Sequence, residues 1–445
     1  MAVISGSNMY DILRKSFSIL NPQLMHHSER TAYILYKMLQ TEGHMSSKEM
    51  ADYVIIAVLH DIGTCKLEYI HQWAQFEKDD VWPHSIFGFL FLKYLSPLED
   101  KAEIVLYHHL DYNKHYLIKS QYIKIAEYLF MADKIDVTMS MPGTLEPDYL
   151  QKYRNIKYSA EALNLFLKAN TRYNILEKLK KEDYLKELDE LIASVSFSED
   201  YKRKFLQMLI YIIDFRSQYT VIHTLATTIF AQELGDLMKL SGQDKYNMYY
   251  GALLHDIGKI AIPLSILEST GRLSDKEMDI MKKHVEITDH VLKGIVDDDI
   301  REIAIRHHEK LDGSGYFRGL KGDELTRPQR IVAVADIISA LYGKRSYKEA
   351  FAPDKIKAII QADADNNKIC PAVVDVAVKN MESIIRNFEK KKEAVLGTYM
   401  QIKNRKMIYM SSLKACKNME TWGGCRRNNG AAGIVPMFFI DLQII

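Results

Sequence analysis

Apolar residues along the chain recur at helical spacing in both halves. In residues 29–40, Ala32, Leu35 and Leu39 fall on one helical face, and residues 221–240 repeat the pattern. Sustained period-two alternation between turn signals, which would indicate strands, is missing. Residues 175–195 read as a charged amphipathic helix whose charges we expect to face solvent. The pattern therefore predicts an all-α protein.

Histidine and aspartate residues form two series in the same order along the chain. The first series is His27, His60, Asp61, His84, His108, His109 and Asp133. The second series is His223, His255, Asp256, His284, His307, His308 and Asp336. Equivalent positions are 195 to 203 residues apart, which indicates an internal duplication. We expect one domain over 1–200, a second over 201–405 and an irregular C-terminal tail over 406–445.

The residue types in the two series favour metal binding. Histidine supplies a neutral nitrogen, and aspartate supplies an oxygen that can bridge two cations. Lys259 follows His255 by four residues, so on a continuous helix both would share one face. Four glycines between 313 and 322 predict a loop that can approach a ligand closely. These features favour a phosphate substrate.

Composition narrows the functional class. The chain has 59 Lys and Arg against 58 Asp and Glu, a net charge of +1, which excludes a broadly basic binder of duplex nucleic acid. No uncharged apolar run approaches the roughly 18 residues of a membrane helix. The four cysteines form no CxxC pair, and the N-terminus shows no signal-peptide pattern. We expect a cytoplasmic protein without membrane association.

The second half resembles the HD-GYP family of HD-superfamily phosphohydrolases. The resemblance rests on His255-Asp256-x-x-Lys259, on His284, and on the segments "HHEKLDGSGY" and "RIVAVADIISAL". It implies two tandem HD-type helical bundles in a bacterial signalling enzyme. It also implies a phosphodiesterase that opens cyclic di-GMP, or in some members cyclic GMP-AMP, with a metal-bridging hydroxide. The products would be a linear dinucleotide or mononucleotides.

The resemblance also assigns roles to individual residues. The two series above become the metal ligands of the two domains, with Asp256 and Lys259 catalytic. Substrate contacts fall on Gly315, Tyr316, Arg345 and Lys348. The centre is expected to be dinuclear iron or manganese, with zinc, magnesium or nickel as other options. Family members with a third metal carry Glu where this chain has Tyr219, and the proline usual after Gly-Tyr is Phe317.

The first half keeps every metal position but changes its surroundings. The Gly-rich loop is missing after His109, Thr64 occupies the position of Lys259, and Lys66 lies two residues further on. The first site could therefore hydrolyse another phosphate ester, bind a regulatory nucleotide or serve as a scaffold.

Three other functions compete with cyclic dinucleotide hydrolysis. They are a receptor that binds the cyclic dinucleotide without cutting it, a phosphohydrolase of another nucleotide, and an HD-type di-iron oxygenase. The cationic Lys259, Arg345 and Lys348 favour phosphate over oxygen chemistry. Homodimer formation is left open by the sequence.

Overall fold

The fold was analysed in a computed structural model that describes residues 4–66, 82–139, 147–214, 221–269, 271–343 and 351–421. Within these ranges the chain forms helices and short 3₁₀ turns, with no β-strand. Extended pairing in the described residues is limited to two isolated bridges, Arg154 with Tyr158 and Asp312 with Lys321. The all-α prediction is confirmed.

Residue contacts divide the chain into two compact units. One unit comprises Asn21–Ser198 and Thr398–Ile445, and the other comprises Met1–Leu20 and Glu199–Gly397. The first twenty residues thus group with the second half, where Lys202 Nζ donates to Ile4 O at 2.6 Å. The units change between Ser198 and Glu199, close to the predicted boundary at residue 200. The predicted outer limits, residues 1 and 405, differ from those of the units. The boundaries of the functional domains stay a prediction.

The first unit begins with two helices whose ends are fixed by local sequence. Asn21 caps the helix that starts at Pro22, accepting a hydrogen bond from Leu24 N, and Gly43 ends it with a φ of +82°. Ser46 and Glu49 form a capping box at the start of the next helix. The helices of this unit are α2 (Pro22–Glu42), α3 (Ser47–Val58), α4 (Trp82–Leu95), α5 (Glu103–Tyr107), α6 (Ile123–Met139), α7 (Pro147–Lys152), α8 (Ala160–Tyr173), α9 (Ile175–Lys181) and α10 (Leu185–Ala193), after α1 (Gly6–Leu20) of the other unit.

The second unit repeats this arrangement around an apolar core. Phe230 and Phe388 meet at 5.2 Å between ring centroids, and Ile331, Val334 and Ile338 are buried in the same core. Its helices are α11 (Glu199–Asp214), α12 (Val221–Leu237), α13 (Gly242–Leu254), α14 (Leu264–Leu267), α15 (Asp275–Leu292), α16 (Asp298–Ile305), α17 (Arg327–Tyr342), α18 (Pro353–Asp365) and α19 (Pro371–Thr421).

In both units, a 3₁₀ turn follows the helix that leads into the His-Asp pair (the HD pair), which is His60-Asp61 in one unit and His255-Asp256 in the other. The turns span Ile62–Lys66 after α3 and Ile257–Ala261 after α13. Helix α2 packs against α3 and α6, and α12 packs against α13 and α17. Each unit therefore gathers the His and Asp of its series from separate helices. Each unit is thus a helical bundle, as the sequence predicted.

The predicted irregular tail is wrong for residues 406–421. Helix α19 continues through this stretch to Thr421. The sequence there contains three Lys and three Met, which favour a helix, and neither glycine nor proline, so nothing local stops the helix. Residues 422–445, the remainder of the predicted tail, lie outside the described residues. No helix in the described ranges has the length and hydrophobicity needed to cross a membrane.

Candidate metal centres

The second unit brings its whole His and Asp series together. Asp256 lies at the middle of the cluster, and its two carboxylate oxygens face different histidines. Oδ2 lies 3.4 Å from His223 Nε2 and 3.1 Å from His255 Nε2. Oδ1 lies 3.5 Å from His284 Nε2 and 3.9 Å from His307 Nε2. This is the arrangement expected of a carboxylate shared between two cations.

Asp336 completes the cluster from helix α17. Its Oδ1 lies 3.0 Å from His223 Nε2, and its Oδ2 lies 3.7 Å from His308 Nδ1. Two groups of ligand atoms, each within 4.8 Å, could hold an ion: His223 with His255 and Asp256, and His284 with His307 and His308. We call these seven residues together the second site.

The first unit forms an equivalent cluster. Asp61 Oδ1 lies 3.4 Å from His84 Nε2 and 3.8 Å from His108 Nε2. Asp61 Oδ2 lies 3.6 Å from His60 Nε2 and 4.0 Å from His27 Nε2. The two groups that could hold an ion are Asp61 with His84, His108 and His109, and His27 with His60 and Asp133. We call these seven residues the first site.

Local backbone geometry explains how each HD pair is aimed. His255 Nδ1 and His60 Nδ1 each contact the carbonyl three residues earlier, at 2.7 and 2.6 Å, which turns Nε2 into the cluster. The α-helix then ends, and the 3₁₀ turn packs against the next His-bearing helix. A Cβ on Gly258 or Gly63 would lie 2.0 Å from the carbonyl oxygen of His284 or His84, so only glycine fits.

Lys259 reaches the second site by a different route from the one predicted. The prediction of a continuous helix through His255 and Lys259 is wrong, because α13 ends at Leu254 and Lys259 lies in the 3₁₀ turn. Its ammonium nonetheless contacts Asp256 Oδ2. Thr288 braces the turn, since its hydroxyl donates to His255 O and accepts from Gly258 N, both at 3.1 Å.

Burial keeps most of the histidines in both sites neutral. Burial lowers the pKa of His284 to about 4 and those of His308 and His108 to about 3. Nearby histidines hold the pKa of Asp256 well below its usual range despite burial, with Lys259 adding to the effect. In contrast, hydrogen bonds to carboxylates outweigh burial and raise the pKa of His27 to about 10 and that of His223 above its usual value, so a cation that binds there displaces a proton.

Unpaired buried atoms provide a direct test of whether metals fit. Asp256 Oδ1, His60 Nε2 and His108 Nε2 are inaccessible to solvent and have no hydrogen-bond partner among the described residues. Leaving such atoms unpaired is costly in a folded protein. A nitrogen and oxygen donor set without thiolate suits hard or borderline cations. The residues therefore fit bound metals at both sites.

The Gly-rich loop lies at the edge of the second site. The Tyr316 ring packs 4.6 Å from the His308 ring, and Tyr316 N donates to His308 O at 3.2 Å. A Cβ on Gly315 would lie 2.6 Å from the same carbonyl oxygen, so Gly315 allows the loop to approach the histidine pair. Arg345 and Lys348, the predicted phosphate contacts, lie outside the described residues, as do Tyr219 and the side chain of Lys66.

Sequence reasoning missed several residues that shape the sites. Glu309 is buried and accepts from Arg318 N at 2.7 Å and Leu320 N at 3.0 Å, which holds the Gly-rich loop. Its place directly after the histidine pair was the available signal. Lys134 Nζ lies 3.3 Å from Asp133 Oδ2, which places a cation from helix α6 beside the first site. The signal was the Asp-Lys pair in "MADKID".

Comparison with known sequences agrees with this geometry. The sequence matches the HD domain family over residues 24–138 and again over 207–373. The chain carries two HD domains. Each matched range contains one complete site, so the duplication inferred from histidine spacing corresponds to two copies of one domain type.

Related proteins support the resemblance to HD-GYP enzymes. The tandem HD protein is 25% identical over 378 residues to the 3′3′-cGAMP-specific phosphodiesterase 1 of Vibrio cholerae, covering 80% of this chain and 88% of that one. It is 38% identical over 175 residues to the cyclic di-GMP phosphodiesterase response regulator RpfG of Xanthomonas campestris, covering 39% of this chain but only 46% of RpfG. The recognition made from the sequence motifs is confirmed.

A solved structure extends the likeness to the whole fold. The crystal structure of the cyclic GMP-AMP phosphodiesterase V-cGAP3 from V. cholerae aligns with a TM-score of 0.54 at 18% identity. The alignment covers 86% of this chain and 98% of that chain. At this identity the match supports the fold alone.

Proposed function

We propose that the second HD domain hydrolyses one phosphodiester bond of a cyclic dinucleotide. The observation that carries the proposal is the position of Asp256, whose two oxygens face separate histidine groups while Lys259 contacts one of them. A site with two cation positions and an adjacent ammonium suits a phosphodiester, which carries one negative charge and gains more as water attacks.

The metal ligands of this proposal are the seven residues of the second site. Iron or manganese is proposed because the donors are nitrogen and oxygen without sulfur. Cations bound there would lower the pKa of a coordinated water and offset charge on the phosphoryl oxygens. The seven residues of the first site are proposed to hold cations in the same manner.

Residues of the chain provide the remaining functions of the reaction. Asp256 holds the Lys259 ammonium beside the site, where Nζ can donate to a non-bridging phosphoryl oxygen as charge develops. The water oxygen forms a new bond to phosphorus while the bond to the 3′ oxygen breaks. The attacking water gives up one proton and the leaving 3′ oxygen takes one up to become a hydroxyl, so the product is a linear dinucleotide with a 5′-phosphate.

Base recognition is assigned to the Gly-rich loop. The Tyr316 ring lies against His308 at the edge of the site, where a base can stack on an aromatic face. Arg345 and Lys348 are proposed to hold the second phosphate of the ring, as the sequence resemblance implies. Phe317 at the usual proline position is proposed to tune the choice of substrate.

The relatives suggest which cyclic dinucleotides to test. The Vibrio cholerae relative named as specific for 3′3′-cGAMP matches across both halves of this chain, whereas the match to RpfG, named for cyclic di-GMP, covers less than half. We therefore propose cyclic GMP-AMP and cyclic di-GMP as substrates. The predicted cytoplasmic location and the homodimer remain matters for experiment.

Product analysis tests the proposal. Full-length protein loaded anaerobically with iron, and separately with manganese, is incubated with each cyclic dinucleotide, and the products are separated by chromatography. We expect a linear dinucleotide from at least one substrate and no turnover by the Asp256→Ala variant. Tight binding of substrate without product would support the receptor alternative, and intact substrate without binding would contradict both.

A further inference from the structure

Two equivalent histidines in the HD domains are oriented by different side chains. His27 Nδ1 lies 2.8 Å from Asp136 Oδ2 in the first site, and His223 Nδ1 lies 2.8 Å from Ser339 Oγ in the second. Asp136 and Ser339 each follow the helical aspartate of their series by three residues. The orienting residue thus occupies the same position in both series, but it supplies a carboxylate in the first site and a hydroxyl in the second.

In the first site the orienting carboxylate is held by a charged partner. Arg30 Nε donates to Asp136 Oδ1 at 2.5 Å, and Arg30 Nη2 donates to Asp136 Oδ2 at 2.9 Å. This two-pronged contact fixes the plane of the carboxylate. Asp136 and His27 are both buried. At the position of Arg30 the second site has Ala226, so this arginine is particular to the first site.

The contact determines which ring nitrogen of His27 is available to bind a cation. An ionised carboxylate only accepts hydrogen bonds, so His27 Nδ1 must carry the hydrogen. The other ring nitrogen, Nε2, then points at Asp133 Oδ1, 3.3 Å away, and Asp61 Oδ2, 4.0 Å away. A ring nitrogen between two carboxylate oxygens is placed as a metal ligand requires.

We propose that Asp136, clamped by Arg30, is a positioning residue that fixes His27 for cation binding at the first site. This inference rests on the proposed cation role of that site and names the residues outside the ligand set on which binding depends. Partners of metal-binding histidines outside the ligand set typically contribute 10–100-fold to metal affinity, because they fix the tautomer and the ring orientation.

The other histidines of the first site show why Asp136 matters. His60 Nδ1 and His108 Nδ1 each contact a backbone carbonyl at 2.6 Å. A backbone carbonyl is present whatever side chain stands there, so no substitution removes it. The orientation of His27, in contrast, depends on a side chain and can be removed by a single substitution that leaves every metal ligand in place.

Calorimetric titration with Mn²⁺ tests the proposal in the full-length chain. All variants are made in a starting protein that carries Asp256→Ala (the parent). This change removes the carboxylate that faces both histidine groups of the second site and so weakens cation binding there. Adding Asp136→Asn, which keeps the side-chain size but removes the charge, is expected to weaken Mn²⁺ binding about 10–100-fold. Arg30→Lys, which keeps a charge but loses the planar fork, is expected to cause a smaller loss. The visible spectrum of the Co²⁺ form should change with Asp136→Asn.

Matched variants separate positioning from general destabilisation. Tyr33 lies on helix α2 with His27, is fully buried, and donates a 3.0 Å hydrogen bond to Glu187, which is not a metal ligand. Tyr33→Phe should therefore leave Mn²⁺ affinity within about threefold. Equal losses from Tyr33→Phe and Asp136→Asn would overturn the proposal, as would unchanged affinity in a folded Asp136→Asn protein. A parent that binds no Mn²⁺ would overturn this proposal and the proposed cation role of the first site. Turnover of cyclic dinucleotides by the wild type would then still stand as a separate result.

Discussion

The first and second sites share their ligand sets and the glycine that follows each His-Asp pair, but they differ in the charged groups beside the ligands. In the first, Lys134 lies near Asp133, 3.3 Å away, and Asp136 orients His27. In the second, Lys259 contacts Asp256, the carboxylate that faces both histidine groups. Lys259 therefore lies beside the central carboxylate of the second site, whereas Lys134 lies beside a carboxylate that belongs to one ligand group of the first.

The loops that follow the two histidine pairs also differ between the sites. The second site is bordered by a Gly-rich loop that places Tyr316 on His308 and is held by buried Glu309. After His109 the first site has instead a 3₁₀ turn, Tyr112–Leu117, with no glycine. The two domains keep the same His and Asp positions, while the loops beside them differ. We infer that the two sites have different ligands.

The largest effect should come from the shared carboxylates. Asp256→Ala removes the oxygen donors common to both cation positions of the second site, and we expect kcat for cyclic dinucleotide hydrolysis to fall at least about 10³-fold. Asp61→Ala makes the same change in the first site and should cost turnover far less. Rates measured by chromatography, with metal content measured on the same samples, check both. Equal losses would show that the two sites act as one catalytic unit.

A smaller effect is expected at the ammonium groups. Lys259→Met keeps the length of the side chain but removes the charge that stabilises the transition state, so kcat should fall about 10²-fold with KM changed less. The matched change at the first site, Lys134→Met, should have a much weaker effect on the same reaction. Steady-state kinetics with one cyclic dinucleotide distinguish them. A comparable loss in both variants would contradict the different roles assigned to the two cations.

The sequence predicted the ligand sets because their geometry is encoded in local spacing. Helical periodicity and the repeated His-Asp pairs are sufficient to predict two all-α bundles, and the structure brings the seven members of each series together. The exact path of the chain was harder to predict. A continuous helix through Lys259 was expected, but the chain forms a 3₁₀ turn in which Gly258 packs closely against His284 O.

Residues outside the ligand series could not be found from spacing. Asp136 and Arg30 are 106 positions apart, and only the folded chain shows that they meet. Lys134 was not predicted because the equivalent of Lys259 was expected soon after His60, whereas Lys134 lies on helix α6 directly after Asp133. Contacts between distant segments depend on packing, which one sequence without homologues does not reveal.

Glycine substitutions test whether the two HD turns are equivalent. Gly258→Ala and Gly63→Ala would each place a Cβ 2.0 Å from a backbone oxygen, and we expect each to destabilise its domain by about 1–3 kcal/mol. Gly242 serves as the control, because a Cβ there meets nothing within 4 Å. Thermal unfolding followed by circular dichroism measures the change. If Gly63→Ala were tolerated while Gly258→Ala were not, the turns would not be equivalent.

The smallest effect tests the loop that distinguishes the second site. Tyr316→Ala removes the ring proposed to stack on a base, and we expect KM for the cyclic dinucleotide to rise about tenfold, since such stacking is worth 1–3 kcal/mol. Tyr316→Phe should stay close to wild type, because the face of the ring is kept. Burial, with the nearby Asp336 and Asp256, raises the pKa of Tyr316, so the phenol stays neutral and its ionisation contributes nothing near neutral pH. Measuring KM and kcat for both variants checks this. A large loss of kcat in Tyr316→Phe would instead assign the hydroxyl a direct part in the reaction, a part for which the first site has no equivalent.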